Sequence, residues 1–119
     1  MNTTKIGNRA ERAVSSWLKR QGHKIIHRNW RTKIGEIDLI SLASTCDGTP
    51  AIYFTEVKMR SSPNFGAGFA AISSAKLQQM HRAASFFLAS NPEFANLQPL
   101  LAVAVVDGNF TLQDFVILD

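Results

Sequence analysis

The ten residues AIYFTEVKMR at 51–60 constrain this chain most, because they read as a strand that puts core and charge on one face. Ile52, Phe54, Glu56, Lys58 and Arg60 share a side by period two. The apolar start of that side calls for a covering layer, and an unpaired charge beneath such a layer is expensive. Glu56 and Lys58 therefore need partners or a ligand. The preceding segment IGEIDLISLA at 34–43 puts Glu36 and Asp38 on a face with Ile34 and Ile40, and STCDGTP between the two supplies turn residues. A hairpin of this register sets Asp38 beside Glu56. Two carboxylates so close repel unless a proton or a cation lies between them.

One resolution is a divalent cation, Mg²⁺ or Mn²⁺, since Mg²⁺ binds through one or two carboxylates plus waters and substrate phosphate. Lys58 would then orient water or stabilise charge developing at phosphorus. The other is a Glu56–Lys58 surface pair on an exposed strand, which contributes little. Spacing alone leaves both open. Glu11 lies roughly 60° from Val14 on the first helix, at ~100° per residue, on the shoulder of its apolar stripe. Lys76 sits on a comparable shoulder of the second helix, within reach of a phosphate at the same centre.

Elsewhere the periodicity predicts helices over 4–21 and 73–90, the second with Leu77, Met80, Ala84, Phe87 and Leu88 on one face. Strands are expected over 24–29, 34–43, 51–60, 100–106 and 110–118, the last two joined at Asp107-Gly108-Asn109. The stretch SSPNFGAGFAA at 61–71 reads as a mobile connection that contacts substrate. The order αβββαββ implies one domain, an α/β sandwich with a central mixed sheet flanked by helices.

The net charge of +4 conceals an asymmetry. Residues 1–33 carry nine Lys or Arg against Glu11 alone, a balance of +8, which favours a polyanionic partner through counterion release. Arg9, Arg28, Arg31 and Lys33 from this third, with Arg60 and Lys76, are the candidate nucleic-acid contacts. No apolar run is long enough to cross a membrane and no secretory h-region opens the chain. Cys46 is the single cysteine, so a cytoplasmic location is expected. HExxH, CxxC, GxGxxG, Walker and GxSxG patterns are all missing, against zinc, nucleotide-cofactor and serine-hydrolase chemistry. Trp30, between Arg28 and Arg31, is either a packing anchor or a base-stacking ring. Most of the eight phenylalanines are expected in the core.

With GEIDLI followed by FTEVKMR, Glu56 lying eighteen residues after Asp38, the sequence resembles the PD-(D/E)XK nuclease superfamily. It looks most like the YraN-like family of small bacterial proteins, similar in fold to archaeal Holliday-junction resolvases. GNRAERAVSSWLKRQG, HRNWR, GEIDLI, FTEVKMR and a later lysine-bearing helix follow that order over nearly the whole chain. The resemblance implies a restriction-endonuclease-like fold and a metal-dependent endonuclease acting on DNA, with branched or structured DNA among its candidate substrates. In that role Glu11, Asp38 and Glu56 are metal-binding acids, Val57 adds its carbonyl and Lys58 is the catalytic lysine. A homodimer is compatible with it. Ile37-Asp38 replaces the literal Pro-Asp, and QPLLAVAVVD lacks an Arg-x-Asp on the fourth strand. A non-catalytic nucleic-acid-binding protein on the same fold is the alternative.

Overall fold

Ala10, Val14 and Leu18 recur at helical spacing and are all buried, so the first element is a helix with one apolar stripe. In the computed structural model, which describes residues 3–60 and 72–118, this helix α1 spans Thr3–Arg20. Gly22 follows it at φ +96°, a left-handed turn that costs glycine little, and redirects the chain into the sheet. Strands β1 (Lys24–Arg31), β2 (Glu36–Ser44) and β3 (Pro50–Met59) form an antiparallel meander. Helix α2 (Ser74–Ser90) then crosses over, so that β4 (Gln98–Val106) returns parallel to β3. β5 (Leu112–Leu118) closes the far edge antiparallel to β4. The sheet is five-stranded and mixed, in the order β1-β2-β3-β4-β5.

Strand alternation divides the core into two layers. Ile52, Phe54, Val103 and Val105 meet Met80, Ala83, Ala84 and Phe87 of α2, whereas Leu39, Ala104 and Val106 meet Val14 and Leu18 of α1. One helix thus covers each face. Phe87 organises the α2 side: it packs edge-on to Phe54 at 5.8 Å and to Trp30 at 5.3 Å, and stacks on Phe94 at 5.8 Å. The Ser73 hydroxyl caps α2 by accepting the Lys76 N–H, which fixes where the helix begins.

Two turns bound β2. At its start Thr32–Gly35 is tied by the Thr32 hydroxyl, which accepts the Ile34 and Gly35 N–H groups. The turn packs on Gln79, so closely that a Cβ on Gly35 would lie 2.8 Å from the Gln79 Cγ. At the other end Thr45–Thr49 folds round the Asp47 carboxylate, which accepts from the Thr45 and Thr49 hydroxyls and from the Thr49 N–H.

The order and types of the elements agree with the expected αβββαββ, and the differences are local. Ile34 and Gly35 leave β2 because the Thr32 hydroxyl holds their amides in a turn, so Ile34 does not share a strand face with Asp38. β1 continues two residues past position 29 because Trp30 and Arg31 pair with Ile37 and Glu36. The segment 61–71, expected to be a mobile substrate-contacting loop, lies outside the described residues.

Phe87→Ala removes the ring that joins Phe54, Trp30 and Phe94 and should lower the unfolding free energy by about 3–5 kcal/mol. Phe86→Ala, next to it but 42% exposed, should cost less than about 1 kcal/mol. Urea denaturation of the two variants measures both.

Candidate active site

β2 and β3 part at Asp38. Their ladder runs from Ser44↔Pro50 to Leu39↔Thr55 and stops, while β2 stays paired with β1 to Glu36 and β3 with β4 to Met59. The sheet forks there, and Asp38 and Glu56 occupy what would be the next rung. Val57 loses its ladder partner across the fork, and the Asp38 carboxylate accepts its N–H at 2.8 Å instead. Strand geometry alone therefore carries an acid into a gap in the middle of the sheet.

Glu56 lies on the α2 side and its side chain is only 8% exposed. Its Oε2 receives the Lys76 Nζ at 2.9 Å and faces the Lys58 Nζ at 4.0 Å. Lys76 comes from the first turn of α2, which the β3–α2–β4 crossover sets down beside the end of β3. Asp38 faces Glu56 across the fork. Burial above all, then the neighbouring Glu56 carboxylate, push its carboxyl up to about 8, against the opposing pull of the Val57 N–H. Glu11 reaches the same region from α1, and its carboxyl is raised by burial first, with Glu36 and Glu56 adding and Arg31 and Arg28 opposing. Its Oε1 is buried without a hydrogen-bond partner.

The structure brings Asp38, Glu56, Lys58 and Val57 together as the strand pattern requires. Glu11 approaches from α1 closely enough for its charge to act on both Asp38 and Glu56, although among the described residues no three His, Cys, Asp or Glu side chains form a ready-made ion cage. Val57 presents its N–H to Asp38, a contact the sequence did not suggest. Lys76, expected at a phosphate, ion-pairs with Glu56; the i, i+3 rows of α2 place it on the helix flank, but only the crossover decides which strand it meets.

The other candidate contacts spread around the fork. Arg31 pairs loosely with Glu36 at 3.5 Å, its side chain 71% exposed. Arg28 and Lys33 are exposed, Arg60 is half-buried, and the Arg9 guanidinium lies 4.2 Å from the Phe110 ring centroid. Trp30 is half-buried against Phe87, a packing anchor. No described helix is long and apolar enough to cross a membrane.

These features define a mixed α/β domain with a carboxylate pair set into a fork of its sheet between two lysines. A profile of the uncharacterised protein family UPF0102 matches residues 10–107, a span that includes every one of these groups. The chain belongs to that family. The UPF0102 protein sll0189 of Synechocystis sp. is 36% identical over 104 residues, 87% of this chain and 67% of its own length. A UPF0102 protein of Halorhodospira halophila is 38% identical over 103 residues, 87% and 78% of the two chains. One of Arthrobacter sp. is 36% identical over 102 residues, 86% and 82%.

Because Asp38 holds its proton more tightly folded than unfolded, the stability associated with it is complete below about pH 4 and lost as pH rises through about 8. In metal-free buffer the wild-type chain should lose urea resistance between pH 5 and 8 relative to Asp38→Asn, which keeps an oxygen for the Val57 N–H. Parallel pH profiles for the two proteins would refute this assignment.

Proposed function

We propose that this chain is a Mg²⁺- or Mn²⁺-dependent endonuclease that hydrolyses phosphodiester bonds in DNA, with a PD-(D/E)XK arrangement on a restriction-endonuclease-like fold. The observation that carries the reading is the Asp38–Glu56 pair in the sheet fork, with Lys58 on the same strand face. All donors there are oxygens, the choice of a hard divalent cation, and two carboxylates suffice for Mg²⁺ when waters and phosphate complete the shell. Glu11, whose Oε1 is buried without a hydrogen-bond partner, would offer a further oxygen beside the two acids. The metal, when bound, polarises the phosphodiester and activates a water.

The chain's own residues perform the remaining tasks. Asp38 and Glu56 would hold the cation, and the Val57 N–H fixes the Asp38 carboxyl group in the fork. Lys76 anchors Glu56 from above. Lys58, with its side chain 41% exposed, is free to swing toward a non-bridging phosphate oxygen and stabilise its charge as bonds to phosphorus rearrange. Arg28, Arg31 and Lys33 grip neighbouring phosphates on the β1 side, Arg9 and Arg60 those elsewhere along the backbone. The resemblance favours branched or otherwise structured DNA.

The Lys76–Glu56 ion pair and the lack of a three-acid set among the described residues favour a second reading, a nucleic-acid-binding protein without turnover. Labelled linear, flapped and four-way DNA incubated with Mg²⁺ or Mn²⁺ separates the two. Under the endonuclease reading at least one substrate is cut only with metal, and Glu56→Gln or Lys58→Ala slows cutting by about 10²-fold or more without a loss of fold by circular dichroism. Salt-sensitive binding with no cleavage of any substrate would establish the second reading instead.

A further inference from the structure

Phe86 and Ile34 are the most exposed large apolar side chains on the α2 side, at 42% and 40%, and they line one open hollow with His81, Arg82 and Ser85. The hollow is preformed. Phe86 is backed by Trp30, with ring centroids 6.2 Å apart, and Trp30 in turn rests edge-on against buried Phe87. Ile34 is carried on the Thr32–Gly35 turn, which hydrogen bonds close and which packs tightly on Gln79. Neither wall needs ordering before a ligand arrives.

The charges around it are cationic. Arg82 lines the hollow, Lys33 adjoins Ile34, and among the described residues neither has a carboxylate at ion-pair distance. A purely apolar partner gains nothing from such a rim, whereas an aromatic ring beside unpaired cations suits a base and its flanking phosphates. The hollow and the acid pair lie along one flank of α2. Along α2, Lys76 touches Glu56, Gln79 meets the turn that carries Ile34, and Phe86 follows. Ten residues of helix amount to about 15 Å, a span of only a few nucleotides of extended strand.

We propose that this hollow is a stacking site for one unpaired nucleobase, with Phe86 and Ile34 against the base and Arg82 and Lys33 on its phosphates. The inference rests on the endonuclease reading for what happens at the other end of the strand. It narrows the substrate to DNA with an unpaired stretch within a few nucleotides of the cleaved bond.

The test measures binding in EDTA, so that cleavage plays no part: a fluorescent single-stranded 12-mer and a blunt duplex are titrated against wild type, Phe86→Ala and Phe86→Trp. Phe86→Ala should weaken single-strand binding by about five- to a hundredfold and leave the duplex unchanged, the loss expected for one stacked base. Phe86→Trp should restore it. Arg82→Gln should flatten the dependence of log K on log salt by ~0.7 for the single strand. In a Trp17→Phe background, Trp30 emission should be quenched by the 12-mer. Wild-type affinity of Phe86→Ala for the single strand, or an equal loss for single strand and duplex, would overturn the proposal. So would a dimer in sedimentation that Phe86→Ala dissolves while strand binding is untouched, since the hollow would then be a protein-docking surface. Failure to cut DNA leaves these binding results standing, so loss of the endonuclease reading is distinguishable from loss of the stacking site.

Discussion

The hydrogen bond from the Val57 N–H to the Asp38 carboxylate is the contact on which this centre depends. A sheet that forks in its middle exposes backbone donors in a place where neither water nor a strand serves them, and each left unpaired would cost of order 1–3 kcal/mol. Asp38 meets that need with a side chain and stays in the gap as a consequence. The acid is thus held by the backbone of the neighbouring strand, a stiffer support than another side chain would give. The cost appears in its raised proton affinity, produced mainly by burial and by Glu56 beside it.

Glu56 is positioned by different means. It belongs to the apolar row of Ile52 and Phe54, so the packing that buries those two residues under α2 also drives the carboxylate toward the helix. Lys76 is what makes this tolerable, because an unpaired carboxylate in that setting would be costly. Since Lys76 is held by the capped first turn of α2, the charge balance of the centre is linked to where that helix starts. The Phe54–Phe87 contact and the Glu56–Lys76 contact belong to one interface, hydrophobic at one end and ionic at the other.

Much of this was legible from periodicity. Alternation in 51–60 fixes Glu56 and Lys58 on one face, and a regular hairpin across the 44–50 turn then sets Asp38 alongside Glu56. The Glu56–Lys76 pair was not legible, since a helical wheel gives the azimuth of Lys76 but not the height and direction at which the crossover lowers α2 onto the sheet. The role of Val57 was hidden for a related reason: nothing in the order of residues says at which rung a ladder will open. Ile34 was misread as strand because its apolar side chain continues the alternation, while the Thr32 hydroxyl two residues earlier had already captured its amide. Phe86 falls beside the buried stripe of α2 by one step of ~100°, which separates it from Phe87 although both are aromatic.

The Thr45–Thr49 turn lies at the opposite end of β2 from the fork. Ser44 lies six steps along the strand from Asp38, about 20 Å at ~3.3 Å per residue. Its geometry is maintained internally by Asp47 and the two threonine hydroxyls, without help from either helix. Cys46, the only cysteine in the sequence, is exposed there. The chain therefore carries one addressable thiol on a self-contained loop well removed from its acids, a natural attachment point for a dye or a surface linker through which the centre can be observed undisturbed.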